Sequence, residues 1–335
     1  MRGVVLEDAE AGVSSALSAG IGSTIGLSSA RSSRMGKSVV WCATALAAQV
    51  ELCAKMLGMP IIAIHELMGP DAKNTVAAFN VITIEHAEGI VAGAERAGLP
   101  VILQLSENAI KYHGRADAIA AATVEVARAS SADVALHLDH ITDVDLMRLA
   151  PALGYSSVMY DGSHHDFDTN RDLTRQAVEW GRANGIWIEA ELGEVGGKNG
   201  AHAPGVRTDP GQAAQFVHDT GVNALAVAVG SSHAMLEKTA YLDQQLIQRL
   251  HAAVPVPLVL HGSSGVPDAS IAEAARNGMV KINIGTALNI AYTGAIREWL
   301  AENPTAVDPR KYAAKARDSV ASTAAHYLRV AAGIV

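Results

Sequence analysis

The segment Val134-Ala-Leu-His-Leu-Asp-His140 is a short apolar run that stops abruptly in a carboxylate and an imidazole. Such a run reads as a buried strand that delivers polar groups to one rim. Two later segments repeat the pattern. Ala224-Leu-Ala-Val-Ala-Val-Gly230 runs into Ser231-Ser232-His233, and Pro257-Leu-Val-Leu-His261 runs into Gly262-Ser263-Ser264-Gly265. Three histidines at the carboxyl ends of different strands, His140, His233 and His261, can converge on one divalent cation. Neutral imidazoles favour zinc or a similar transition metal, and three protein ligands leave a position open for substrate. A lone histidine of this kind is more often a satisfied core or rim residue. Three in the same context, one of them beside Asp139, point to a metal centre.

Working outward from these strands, a regular alternation extends from Met59. Strands are expected at Thr75–Val81, Val101–Ser106, Val134–Asp139, Ser156–Asp161, Trp187–Gly193, Ala224–Gly230, Pro257–Gly262 and Val280–Gly285. Helical patterns fall near 85–97, 116–130, 142–152, 168–184, 211–220, 242–253, 268–277 and 287–302, with a further helix from Pro309 to Val330. Asp268, after Gly265-Val266-Pro267, is placed to cap the seventh helix. Eight strand–helix units imply a closed parallel α/β barrel of the TIM (β/α)8 type. A doubly wound open sheet is the alternative, but no dinucleotide-type glycine fingerprint opens a first strand.

The polar strand ends are Asn80, Ser106, Asp139 with His140, Asp161, Glu191, His233, His261, and Asn283 with Thr286. All eight units contribute one, on the rim where this fold carries its chemistry. A solvated rim would also be polar, so the weight lies on the histidines together with Asp139, Asp161 and Glu191. The turns Gly262-Ser263-Ser264-Gly265 and Asn283-Ile284-Gly285-Thr286 follow strands seven and eight, where barrels commonly hold phosphate. Gly-Ser-Ser-Gly alone is an ordinary loop; paired with the second turn it reads as a phosphate cradle.

With 335 residues, 49% of them hydrophobic, the chain can bury a large core as one barrel. Its net charge of -8, with no basic run interleaved with aromatics, argues against a nucleic-acid partner. Cys42 and Cys53 are the two cysteines, so no disulfide framework exists and a reducing, cytoplasmic compartment fits. Residues 1–58 differ from the rest. Small residues dominate to about Ser33, and the apolar stretch Ser38–Val50 lies too far from Met1 for a signal peptide. It is also too short for a confident membrane span. These residues are expected to form an extension with one amphipathic helix, Val39–Leu57, outside a catalytic fold at 59–335. An upstream start codon, with the functional chain beginning at Met59, would also explain them.

The segments Ala78–Val81, Leu105–Tyr112, Leu138–His140, Tyr160–His164, Glu189–Gly193, Val229–His233, Leu258–Pro267 and Lys281–Thr286 occur in one order over nearly all of the chain from Met59. In these segments the sequence resembles the class II, metal-dependent ketose-bisphosphate aldolases, which act on fructose or tagatose bisphosphates. The resemblance implies His140, His233 and His261 as ligands of Zn2+ or another divalent cation, and Asp139 as the catalytic acid/base. It implies Asp161 and Glu191 as acidic positions that can hold a second cation, and it allows a monovalent cation. Gly262, Ser263, Ser264 and the segment Asn283, Ile284, Gly285, Thr286 match contacts to the phosphate and the dihydroxyacetone half. Asn80 and Ser106 match positions near the other end of the substrate. The implied assembly is a homodimer or homotetramer, acting on a phosphorylated ketose, with no nucleic-acid or membrane partner.

Three positions depart from the family pattern. Gly285 stands where an aspartate is frequent, and tagatose-type members have a small residue there. The segment His233-Ala-Met-Leu-Glu237 places Lys238 one residue late for a phosphate contact. Gly196-Gly197 is followed by Lys198-Asn199, an amide where a glutamate proton carrier is expected, with His202 three residues further on. Lys281 could suggest an imine mechanism, and its parity with Asn283 does not separate site from structural use. The reading is a metal-dependent aldolase. The alternatives are a catalytically impaired, metal-bound sugar-phosphate-binding paralogue and a metal hydrolase on the same barrel.

Overall fold

The structure, a computed structural model, describes residues 61–69, 75–193, 207–232, 235 and 237–334. The expected extension at 1–58, His233, Asn199 and His202 lie outside the described residues. Eight parallel strands close into a barrel in sequence order. They are β1 Val76–Asn80, β2 Val101–Ser106, β3 Val134–Ile141, β4 Ser157–Tyr160, β5 Trp187–Leu192, β6 Ala224–Val227, β7 Leu258–Leu260 and β8 Met279–Ile284. Closure comes from the pairing of β1 with β8, with Val76 opposite Lys281 and Ala78 opposite Asn283. The barrel expectation holds, and the open sheet does not.

The strands are buried on both faces because helices cover the outside while side chains fill the inside. The lower interior is a small cluster of Val76, Ala78, Ile102, Ala135, Met159, Ala224, Ala226 and Val259. Four of these are alanines, and the room they leave is filled by Ile64 and Met68 of the short helix Ile64–Met68. Each of these two fully buried side chains contributes roughly 1.5–3 kcal/mol. Above this cluster the interior turns polar, with Gln104, His137, Glu189 and Lys281 all buried. That polar layer supports the site.

Several boundaries differ from the sequence expectation. The helix expected at 142–152 is two, Val144–Arg148 and Ala150–Leu153, because Pro151 has no N–H to bond back to the preceding turn. Asp268 does not cap its helix: Pro267 is the N-cap residue, and Asp268 is the first helical residue. Its carboxylate pairs instead with Lys238 and with His326 Nε2 at 2.8 Å. Strands β6 and β7 stop at Val227 and Leu260, short of the expected glycines. Beyond β6 the pairing passes to Thr208, whose N–H donates to the Ala228 carbonyl at 2.9 Å. The Thr208 hydroxyl also donates to the Leu192 carbonyl at 2.6 Å, joining the ends of β5 and β6. A helix not expected from the sequence, Glu107–His113, follows β2 directly; the Ser106 hydroxyl caps it, accepting from the Ala109 N–H at 3.1 Å.

Candidate active site

The carboxyl ends of the strands surround a cavity of about 500 Å³. Most of the expected site residues meet there. Asn80, Ser106, Asp139, His140, Asp161, His261, Gly262, Ser263, Ser264, Asn283, Gly285 and Thr286 all line it. Ile284 does not: its side chain is buried in the outer core between barrel and helices. Glu191 lies just below, buried at the end of β5. One ligand atom each from His140, Asp161 and Glu191 falls within 4.8 Å of the others, and the same is true of Asp139, His140 and His261.

A local irregularity makes this convergence possible. Between Leu138 and Ile141, β3 advances three residues while β4 advances two, from Val158 to Tyr160. The extra residue is a bulge, and His140 takes a left-handed conformation with φ 52°. In an unbroken strand, Asp139 and His140 would point to opposite faces. The bulge turns the His140 ring onto the side of Asp139.

The two described imidazoles are oriented by carboxylates. His140 Nδ1 lies 2.8 Å from Asp161 Oδ2, and His261 Nε2 lies 3.1 Å from Glu189 Oε1. A nitrogen facing a carboxylate carries the ring hydrogen, so the opposite nitrogens present lone pairs. Those inner atoms, His140 Nε2 and His261 Nδ1, are 3.0 Å apart. Two lone pairs at that distance repel unless a cation or a proton lies with them. The donor set therefore fits a divalent metal bound through inner imidazole nitrogens, with outer-shell carboxylates fixing the tautomers.

Asp139 is buried beside these rings. Its Oδ2 accepts from Asn80 Nδ2 at 2.8 Å, and among the described residues Oδ1 has no hydrogen-bond partner. Burial alone would raise its pKa, but His140, His261, Lys281 and the Asn80 amide together lower it from 3.8 to about 2. It is therefore a carboxylate at neutral pH. Asn283 Nδ2 lies 3.2 Å from His261 Nδ1 and 3.1 Å from Nε2.

Lys281 is settled by burial. Its side chain is wholly inside the barrel, with Nζ 2.7 Å from Glu189 Oε2. The same glutamate carries the contact to His261, so the lysine is the counter-ion of a carboxylate that orients an imidazole. His137, also buried, has Nδ1 2.7 Å from the Ser157 hydroxyl. Burial, with the nearby Lys281, holds its pKa well below the usual imidazole value and keeps it neutral.

The two expected phosphate turns are joined. Ser264 Oγ accepts from the Ala287 N–H at 3.0 Å, linking the turn after β7 to the first turn of the helix Thr286–Glu302. Gly262 is left-handed at φ 67°, and the positive end of a helix dipole beside such a turn is a natural anion site. Glu107, Asn108, Lys111, Thr142 and Ser232 also line the cavity and were not expected. Glu189 could have been found from its parity with Glu191. The helix carrying Lys111 left no strong periodic signal over its seven residues.

The class-II fructose-bisphosphate aldolase family profile matches residues 70–333. A fructose-bisphosphate aldolase of Geobacillus stearothermophilus is 36% identical over 275 residues, covering 79% of this chain and 94% of that protein. One of Thermus caldophilus is 38% identical over 272 residues, covering 73% of this chain and 88% of that protein. Among solved structures, the YdjI aldolase from Escherichia coli K12 superimposes with a TM-score of 0.67 at 32% identity, covering 77% of this chain and 91% of that one. No helix among the described residues is long and apolar enough to cross a membrane. The chain belongs to the class-II fructose-bisphosphate aldolase family, a metal-dependent family, and is a lyase.

Proposed function

We propose that the chain reversibly cleaves a phosphorylated ketose, of the fructose or tagatose 1,6-bisphosphate type, to dihydroxyacetone phosphate and an aldehyde. The observation that carries this reading is the pair of inner imidazole nitrogens 3.0 Å apart with the Asp139 carboxylate beside them in one cavity. His140, His261 and His233 would hold the metal, with zinc favoured by the imidazole set. When bound, the cation supplies Lewis acidity to the negative charge that develops on the dihydroxyacetone half. Asp139 Oδ1 takes the proton from the C4 hydroxyl, the C3–C4 bond breaks, and the new carbonyl forms at C4. Asn80 holds the other carboxylate oxygen and so fixes the direction of Oδ1. Gly262, Ser263, Ser264 and the turn from Asn283 to Thr286 cradle the phosphate of the dihydroxyacetone half. Lys111, on the wall that follows β2, brings a positive charge for the aldehyde half. Asp161 and Glu191, within reach of His140, offer a second cation position.

Two further features belong to this reading. The helix Thr286–Glu302 fully buries only Leu288 and leaves Ile290 47% exposed, which supports a homodimer or homotetramer that covers its apolar side chains. A reducing, cytoplasmic compartment fits the two-cysteine composition. The test is release of dihydroxyacetone phosphate from a panel of ketose phosphates, with and without a chelator. Metal-dependent release from a ketose bisphosphate is expected. Absence of release from every ketose phosphate at full metal occupancy would leave a binding protein in place of an enzyme.

A further inference from the structure

Glu107 is a buried carboxylate that nothing in the cleavage chemistry uses, although it lines the cavity. Its contacts converge on one short segment. Oε2 accepts from the Thr142 N–H at 2.6 Å and from the Asp143 N–H at 3.2 Å, and the Thr142 hydroxyl lies 3.0 Å from Oε1. Thr142 and Asp143 are the second and third residues after His140, whose left-handed backbone turns its imidazole toward His261. A non-glycine residue in that region is strained and persists only where the surroundings over-determine it. The surroundings do so here from two sides. On the β4 side, the Asp161 N–H donates to the Ile141 carbonyl at 2.9 Å, and its carboxylate holds His140 Nδ1. On the β2 side, the clamp is Glu107.

We propose that Glu107 is a positioning residue for the metal centre: by fixing Thr142 and Asp143 it holds His140 in the strained turn that aims its ring at His261. The inference rests on His140 being a metal ligand. Burial would raise the Glu107 pKa, but Lys111 at 2.6 Å and the Thr142 and Asp143 donors hold it below the usual carboxylate range, so the clamp stays ionised. An ionised acceptor matters because both backbone N–H groups face one oxygen. An amide there presents either one neutral acceptor or a repelling NH2 group.

The experiment measures zinc affinity by competition with a chromophoric chelator, alongside kcat, KM and thermal melting, for the full chain and for Glu107→Gln, Thr142→Ala and His140→Ala. The expected result for Glu107→Gln is a fall in zinc affinity of roughly 10–100-fold, the range for outer-shell partners, with a melting curve that remains cooperative. At saturating zinc, kcat should stay reduced; KM can shift as well, because the substitution releases Lys111 from its ion pair with Glu107, so zinc affinity is the deciding readout. Thr142→Ala, which removes only the hydroxyl donor, should shift zinc affinity in the same direction by less. Wild-type zinc affinity and kcat in Glu107→Gln, with His140→Ala losing zinc, would overturn this inference and leave the ligand assignment standing. Zinc retained by His140→Ala would overturn both. If Glu107→Gln fails to fold, Thr142→Ala decides: weaker zinc binding at an unchanged melting temperature supports the clamp, and unchanged binding refutes it.

Discussion

His140 Nε2 and His261 Nδ1 face each other at 3.0 Å, while Asp161 and Glu189 hold the far side of each ring. The carboxylates set both tautomers, so the inner nitrogens are ready to share a cation. Exhaustive chelation should abolish cleavage, and zinc, cobalt or manganese should restore it. His140→Ala, His233→Ala and His261→Ala should each lose metal and activity together, as measured by metal analysis and turnover.

Asp139→Asn preserves size and removes the proposed proton acceptor. Bound metal should remain stoichiometric while turnover falls by roughly 10²–10⁴-fold. Near-wild-type turnover in this variant would move the base to another group, with Asp161 next in line.

The pH dependence separates the proposed base, Asp139, from the proposed metal ligands. Asp139 has a lowered pKa, so its contribution to stability is fully present above the ordinary carboxylate range and is lost only as pH falls through about 2. It is ionised throughout the mildly acidic range. Loss of activity there should instead reflect protons competing with the metal for imidazole nitrogens. The acid limb of a kcat/KM profile should move to lower pH as free zinc is raised. A limb that stays fixed at every zinc concentration would assign it to a protein group.

Lys281→Met should destabilise the barrel by roughly 3–5 kcal/mol, because it leaves the buried Glu189 carboxylate without its counter-ion. Chemical denaturation measures this directly. Borohydride in the presence of substrate should trap no adduct on the wild-type chain, since the ammonium is held inside the barrel below the cavity. A trapped lysine adduct would sink the metal mechanism.

Gly285 sits against Asn80: a Cβ built there lies 3.0 Å from Asn80 Oδ1. Gly285→Ala needs a shift of a few tenths of an ångström and should be close to neutral. Gly285→Asp, the residue frequent in the family, adds a carboxylate beside the amide that orients Asp139. Loss of the Asn80–Asp139 hydrogen bond, made to an ionised carboxylate, corresponds to about 1.5–3 kcal/mol, so kcat/KM should fall by roughly tenfold to 150-fold. An unchanged or raised kcat/KM would show that Asn80 adapts.

A chain beginning at Met59 should fold cooperatively, bind metal and keep its turnover, because every described strand and every proposed ligand lies after it. Insolubility or a broad, non-cooperative melt would show that residues 1–58 are integral to the fold.

The sequence by itself determined the barrel, because eight apolar runs, each followed by a helical pattern, admit few other closed arrangements. It also determined which residues stand at the strand ends: Asn80, Asp139, His261 and Asn283 needed only their place after an apolar run. Chain order cannot say which way a side chain at a strand end turns, and here tertiary structure decided. Strict alternation would send Asp139 and His140 to opposite faces; the bulge and the left-handed backbone at His140 bring both into the cavity. Lys281 was ambiguous in the sequence because an inward lysine can be nucleophile or counter-ion. Its distance to Glu189, a residue 92 positions away, assigns it as a counter-ion. Glu107 carries no such signal in the sequence for the same reason: its donors, the N–H groups of Thr142 and Asp143, lie in the segment that follows another strand and meet it only when the barrel closes.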